Sequence, residues 1–115
     1  MWALDLLQNQ LTTIYDAALA GSTPPLEDPD NVTVHEPTGH LYVGEDAGQL
    51  RLTLLARGRS GWTAAPFLQL VGHDGSEVTG PSFTPDSRRL YVTSQRGTDG
   101  DGLVFEVTGR FAART

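Results

Sequence analysis

Two carboxylates stand where a repeated pattern of strand and turn gives them chemical use. Glu45 follows Leu41-Tyr42-Val43-Gly44 and opens an acidic pair, Glu45-Asp46, bracketed by Gly44, Ala47 and Gly48. Glu77 lies two residues ahead of Thr79-Gly80-Pro81, at the mouth of a hairpin that runs to Phe83 and returns as Leu90-Tyr91-Val92. Carboxylate oxygens are preferred by hard cations such as Ca²⁺. Asp and Gly also close hairpins for backbone reasons alone. Glu45 therefore reads either as a ligand or as part of a polar turn, and Glu77 either as a ligand or as an exposed loop acid.

The other reactive residue types form no comparable pattern. Asp99-Gly100-Asp101 imitates the opening of a calcium loop, but the later bidentate Glu is missing, so the segment reads as a hairpin turn. His35, His40 and His73 share no metal-ligand spacing and fall at or near predicted turns, which places them on the surface. Ser76, Ser82 and Ser94 lack the Gly-x-Ser-x-Gly elbow of a serine hydrolase. With no cysteine, disulfides, thiolate metal sites and a cysteine nucleophile are excluded. A formal charge of −6, with eight scattered basic residues, gives no clustered surface for a phosphate backbone, so no nucleic acid partner is expected. No apolar run approaches the roughly 20 residues of a membrane span, and the start of the chain lacks a basic signal-peptide region.

The elements that must position the two acids are strands. Thirteen Gly and seven Pro in 115 residues predict a turn-rich, all-β domain. Trp2 to Leu7 reads as a strand with Leu11 to Tyr15 as its partner, and Asp16 to Gly21 as a helical turn. Val32 and Val34 alternate with Thr33 and His35, Glu36-Pro37-Thr38-Gly39 turns the chain, and Leu41-Tyr42-Val43 returns. Leu50 to Leu55 follows, then an irregular fourth strand over Trp62 to Val71 interrupted by Pro66. Val78 to Phe83, Leu90 to Gln95 and Leu103 to Val107 complete the set. Trp2, Trp62, Tyr42, Tyr91 and Phe83 fall at strand periodicity as core or sheet-face residues.

Leu41-Tyr42-Val43 recurs as Leu90-Tyr91-Val92 after 49 residues, and Trp2 to Leu7 matches Leu50 to Leu55 at a shift of 48. Four-stranded units of roughly 40–50 residues are propeller blades, and a closed ring takes roughly 4–8 of them. The expectation is a partial β-propeller of about two blades, an open arc rather than a closed ring. Residues 1–20 would be the outer strands of one blade, 26–72 a complete blade, and 73–111 about three strands of the next. An open arc exposes apolar blade faces, which implies that the chain self-associates, is a piece of a longer propeller, or is covered by another element. The competing architecture is one small closed β-domain.

Pro29-Asp30-Asn31-Val32-Thr33-Val34, Leu41-Tyr42-Val43-Gly44-Glu45-Asp46 and Glu77-Val78-Thr79-Gly80-Pro81-Ser82-Phe83-Thr84-Pro85-Asp86 resemble, in this order, the C-terminal portion of PhoX-type alkaline phosphatases. The likeness continues through Leu90 to Gly97 and Val104 to Phe111. The resemblance implies a β-propeller with calcium and iron at the mouth of its channel, a phosphate-ester substrate, and secreted or periplasmic full-length relatives. It makes Glu45 and Glu77 metal ligands, with Asp30 or Asn31 beside them. The metals would polarise the phosphoryl oxygens and activate the attacking group. The remaining ligands and the phosphate-contacting basic residues would lie in blades this chain lacks, and no Cys is present to complete an iron site of the family kind. The resemblance thus implies a phosphatase fragment inactive by itself. A calcium-dependent lactonase-like propeller and a non-catalytic, protein-binding propeller piece are the alternatives.

Overall fold

A computed structural model describes residues 1–111. Among the described residues nine strands form three antiparallel sheets, with one short 3₁₀ turn at Ala17–Leu19. The first sheet pairs β1 (Trp2–Asp5) with β2 (Gln10–Thr13). The second, in the order β3-β4-β5-β6, contains Pro29–His35, His40–Glu45, Arg51–Gly58 and Gly61–Gln69. The third, β7-β8-β9, contains Val78–Phe83, Arg89–Ser94 and Leu103–Thr108. The described strands close no barrel. Among the described residues no helix is long and apolar enough to cross a membrane.

The two hairpins with the Leu-Tyr-Val return are closed by different local chemistry. After β3, the amides of Thr38 and Gly39 both donate to the His35 carbonyl, and Gly39 takes φ of +69°, which glycine adopts freely. After β7, Asp86 accepts from the Thr84 hydroxyl at 2.6 Å and from the Arg88 amide at 3.1 Å. Those two bonds fix the Pro-Asp-Ser turn through a side chain. In the first hairpin, Asp5 Oδ1 accepts from the amides of Leu7 and Gln8, each at 2.9 Å. The carboxylate thereby stops β1 at Asp5, so Leu6 and Leu7 lie in the turn rather than in the strand expected for them.

The central strands of the second sheet, β4 and β5, are covered on both faces, as the alternation of β4 requires. Tyr42 joins Leu50, Leu52, Val78, Leu90, Val92 and Phe111 in a core shared with the third sheet. Val43, pointing the other way, joins Leu26 and Leu55, against which Met1, Ile14, Tyr15 and Trp62 pack. The second and third sheets approach closely at Gly44, where a Cβ would fall 2.6 Å from the Val78 carbonyl oxygen. No side chain fits there, so β4 lies with its backbone against β7. By contrast, every residue of β1 and β2 is exposed, and Trp2, expected in a packed face, is 70 % accessible.

His35 is buried, although its position beside a turn predicted a surface residue. Its ring lies 4.9 Å from that of Phe83 and near those of Tyr42 and Phe111, and Nδ1 is 2.7 Å from the Thr38 hydroxyl. Burial lowers its pKa from the ordinary histidine value, with the Ser87 carbonyl opposing the shift.

Two outcomes follow from this packing. Gly44→Ala is expected to cost about 1–3 kcal/mol in urea denaturation, because the obstructing atom is backbone and cannot rotate away. An unchanged urea midpoint would show that the sheets are not held this closely. Because unfolded His35 takes up a proton near pH 6.5 and folded His35 only at lower pH, its contribution is fully present above about pH 6.5. It declines as pH falls from there toward the folded value. His35→Phe should flatten that part of the pH–stability profile, and an identical slope in the variant would refute the assignment.

Candidate functional site

Three segments meet at one corner. The β3–β4 register sets Pro29 opposite Glu45 and Asn31 opposite Gly44, leaving Asp30 as the extra residue of a bulge. A bulge turns a side chain away from the regular alternation and commonly does so at sheet ends. The amide of Asp46 donates to the Asp28 carbonyl at 3.1 Å, which carries the link past the end of β4. Glu77, immediately before β7, is tied by its carbonyl to the Gln95 amide at 3.0 Å. The contact of Gly44 with Val78 then brings the end of β4 to the start of β7.

Glu77 is the buried member of this corner, 8 % accessible, between the exposed Asp30 and Asp46. Its carboxyl pKa is raised, first by desolvation and then by the neighbouring Asp30 and Asp46 carboxyls. Asn31 Nδ2 donates to Asp30 Oδ2 at 2.7 Å. Asn31 Oδ1 accepts from the Thr79 hydroxyl at 3.3 Å and the Gly80 amide at 3.4 Å, so this side chain bridges β3 and β7. Asp30, Asn31 and Glu77 are thus brought together, and Asp46 is the residue that sequence reasoning left out of the set.

Glu45 has other partners. Fully buried, it accepts from the Glu27 amide at 2.7 Å, the Arg51 amide at 2.8 Å and Arg51 Nη2 at 2.8 Å, with Arg51 Nε also within 3.2 Å. Both carboxylate oxygens are engaged, and the charge is neutralised by a guanidinium that is itself 11 % accessible. Glu45, the last residue of β4, turns to Arg51, and Asp46, just past the strand end, lies toward Glu77. Nothing in the Glu45-Asp46 dipeptide distinguishes the two. The only signal was the phase of the alternation from Tyr42, read together with Arg51 as a partner.

The donor chemistry of the corner is all oxygen and net negative, which suits a hard cation. The carboxyls meet at Glu77 without forming a complete cage: among the described residues no group of three or more His, Cys, Asp or Glu is arranged to hold a metal ion. Asp99-Gly100-Asp101 is a turn, with the Asp101 amide donating to Asp99 Oδ1 and Gly100 at φ of +99°.

A second polar cluster lies next to the corner. His73 Nδ1 is 2.9 Å from Ser94 Oγ, and Ser94 Oγ is 2.8 Å from Ser76 Oγ. Ser94 is fully buried and accepts from the Gly97 amide at 3.1 Å. A hydroxyl so enclosed fixes backbone and is not presented to a substrate. His73, like His35, is interior where a surface residue was expected.

Removing one partner of a buried ion pair strands the other charge. Arg51→Ala is therefore expected to cost about 3–5 kcal/mol of stability, with the double change Glu45→Leu/Arg51→Met recovering most of it. A loss in urea denaturation below about 1 kcal/mol, the range of an exposed pair, would mean that Glu45 is free for another partner.

A family model described as alkaline phosphatase PhoX matches residues 6–97, a span that includes Asp30, Asn31, Glu45, Asp46 and Glu77. No curated protein and no solved structure matches the chain. The matched span covers most of the 115 residues and every strand from β2 to β8. The chain belongs to the PhoX alkaline phosphatase family.

Proposed function

We propose that this chain supplies part of the site of a metal-dependent phosphoric-ester hydrolase and does not turn over substrate alone. The observation that carries the reading is the buried Glu77 carboxyl set between Asp30 and Asp46 in a chain of this family. A carboxylate desolvated beside two like charges is unfavourable until a cation or proton compensates it. Glu77, Asp30 and Asp46 would supply part of the ligand set for Ca²⁺, with iron in the complete enzyme, and the metal when bound would polarise the phosphoryl oxygens. Asn31 acts through the bridge from β3 to β7, keeping Asp30 beside Glu77. Glu45 contributes by its pairing with Arg51, which fixes the end of β4 and hence the direction of Asp46.

The three sheets of two, four and three strands support an open arc of blades, with the β3–β6 sheet, Pro29 to Gln69, as the complete unit. The incomplete ligand set supports completion of the site by other parts of a larger propeller. Leu4, Leu6, Leu7 and Leu11, all more than half exposed, form an apolar surface with Trp2 through which free chains would associate.

In chelator, Glu77→Gln is expected to raise the thermal midpoint, since it removes a buried charge from an acidic corner. Ca²⁺ should raise the midpoint of the parent chain and leave Glu77→Gln unmoved. Absence of any Ca²⁺ response in the parent would favour the non-catalytic, protein-binding reading instead. The isolated chain with calcium and iron should give no turnover of p-nitrophenyl phosphate, and robust hydrolysis would refute the fragment reading. Sedimentation should show concentration-dependent association that weakens in Leu7→Glu. A monomer at all concentrations would remove the apolar surface as a contact.

A further inference from the structure

The buried cluster of His73, Ser76 and Ser94 underlies one exposed residue. The Arg96 amide donates to Ser76 Oγ at 3.0 Å, the following amide, of Gly97, donates to Ser94 Oγ at 3.1 Å, and the Arg96 carbonyl accepts from the Gly100 amide at 2.9 Å. The Arg96 backbone is therefore held from both sides of its peptide plane. Its side chain is directed as well, since Nη1 donates to the Gly75 carbonyl at 3.2 Å. Gly75, Ser76 and Arg96 line a cleft of about 290 Å³ together with Asp46 and Gly48.

A guanidinium has five N–H donors in a planar fork, and that of Arg96 spends one on Gly75. Among the described residues it has no carboxylate within ion-pair distance, whereas Arg51 is paired with Glu45 and Glu27, and Arg89 with Glu106. An oriented guanidinium with no acidic partner among the described residues, at the wall of a cleft, has donors left to offer an anion. The fork matches the oxygens of a phosphoryl group in a two-point hydrogen-bonded pair. The cleft wall also contains Asp46, which reaches Glu77, so an anion there sits between the arginine and the acidic corner.

We infer that Arg96, held by the His73–Ser76–Ser94 cluster and the Gly75 carbonyl, is a phosphoryl-binding residue of this cleft, taking inorganic phosphate or the head group of a phosphate monoester. The inference rests on the phosphoric-ester reading of the site, and calcium is expected to strengthen phosphate binding because Asp46 and Glu77 carry the same charge sign as a phosphate dianion.

The test is a thermal-shift titration of the whole chain with sub-millimolar inorganic phosphate, in calcium and in chelator. The parent should respond to phosphate in calcium. Arg96→Gln should lose roughly tenfold or more in apparent phosphate affinity, the scale of one charge-assisted pair, and keep its calcium response. Arg96→Lys, a point charge without the fork, should fall between. Ser94→Ala should weaken phosphate binding without altering the calcium response, which separates orientation of Arg96 from its charge. An Arg96→Gln variant that binds phosphate like the parent overturns the assignment, as does a parent with no phosphate response in either condition. A phosphate response governed by Arg96 with no calcium response would instead sink the cation reading and leave the arginine in place.

Discussion

The approach of β4 to β7 at Gly44 is the constraint on which the site depends. A side chain at that position would meet the Val78 carbonyl, so the two strands touch through backbone on one side and through Tyr42, Val78, Leu90 and Val92 on the other. Three consequences meet at the same place. The end of β4 delivers Asp46, the bulge at the start of β3 delivers Asp30, and the residue before β7 is Glu77. Asn31 adds the one side-chain bridge from β3 to Thr79 and Gly80. Moving the two sheets apart by the width of a methyl group would spread these acids as well as open the core.

Charge then decides which acids are available. Glu45 and Glu77 are both buried, but Glu45 faces a guanidinium and two backbone amides, while Glu77 faces two carboxyls. A buried carboxylate with its hydrogen bonds complete is a structural group, whose removal costs more than its presence contributes. One whose neighbours carry like charge is compensated by a proton or by a cation. The same comparison sets Arg96 apart from Arg51 and Arg89, since only the latter two have acidic partners among the described residues. Between them, Glu77 and Arg96 are oppositely charged groups lacking partners of opposite sign at neighbouring places, an arrangement suited to a ligand that carries both a cation and an anion.

Strand positions were legible in the sequence because the relevant signals are local. The alternation of Val32 and Val34, the Pro-Asp-Ser turn and the Gly39 turn each act within a few residues, and the 49-residue repeat placed β4 and β8 in equivalent hairpins. Errors arose where a side chain or a distant packing partner overrode the pattern. Leu6 and Leu7 continue an apolar run, yet the Asp5 carboxylate captures the amides of Leu7 and Gln8 and ends the strand. His35 sits beside a turn, but Phe83 and Phe111, nearly 50 and more than 70 residues away, close over it. Asp46 was passed over for Glu45 because strand phase fixes that two neighbours face opposite ways without saying which way faces the acid from another sheet. His73 and Ser94 showed no catalytic spacing, and their pairing across 21 residues is visible only once β8 lies beside the Gly75 corner.

The exposed apolar strands and the third sheet meet the four-stranded sheet differently. The third sheet packs on one face of its central strands, and Leu26 with Met1, Ile14 and Tyr15 packs on the other, while Val32, Val34 and Phe67 on its outer strands stay exposed. The β1–β2 ribbon, a two-stranded unit with every residue exposed, is then held chiefly by Met1, Ile14 and Tyr15, which reach back to Leu26, Val43 and Leu55. Tyr15 adds a polar tie, with its hydroxyl donating to the Leu26 carbonyl at 2.8 Å. The acidic corner lies elsewhere, where the four-stranded sheet meets the third sheet at Gly44 and Val78. Loosening of the ribbon therefore leaves Asp30, Asp46 and Glu77 in place, whereas loosening of the third sheet removes Glu77 and Arg96 together.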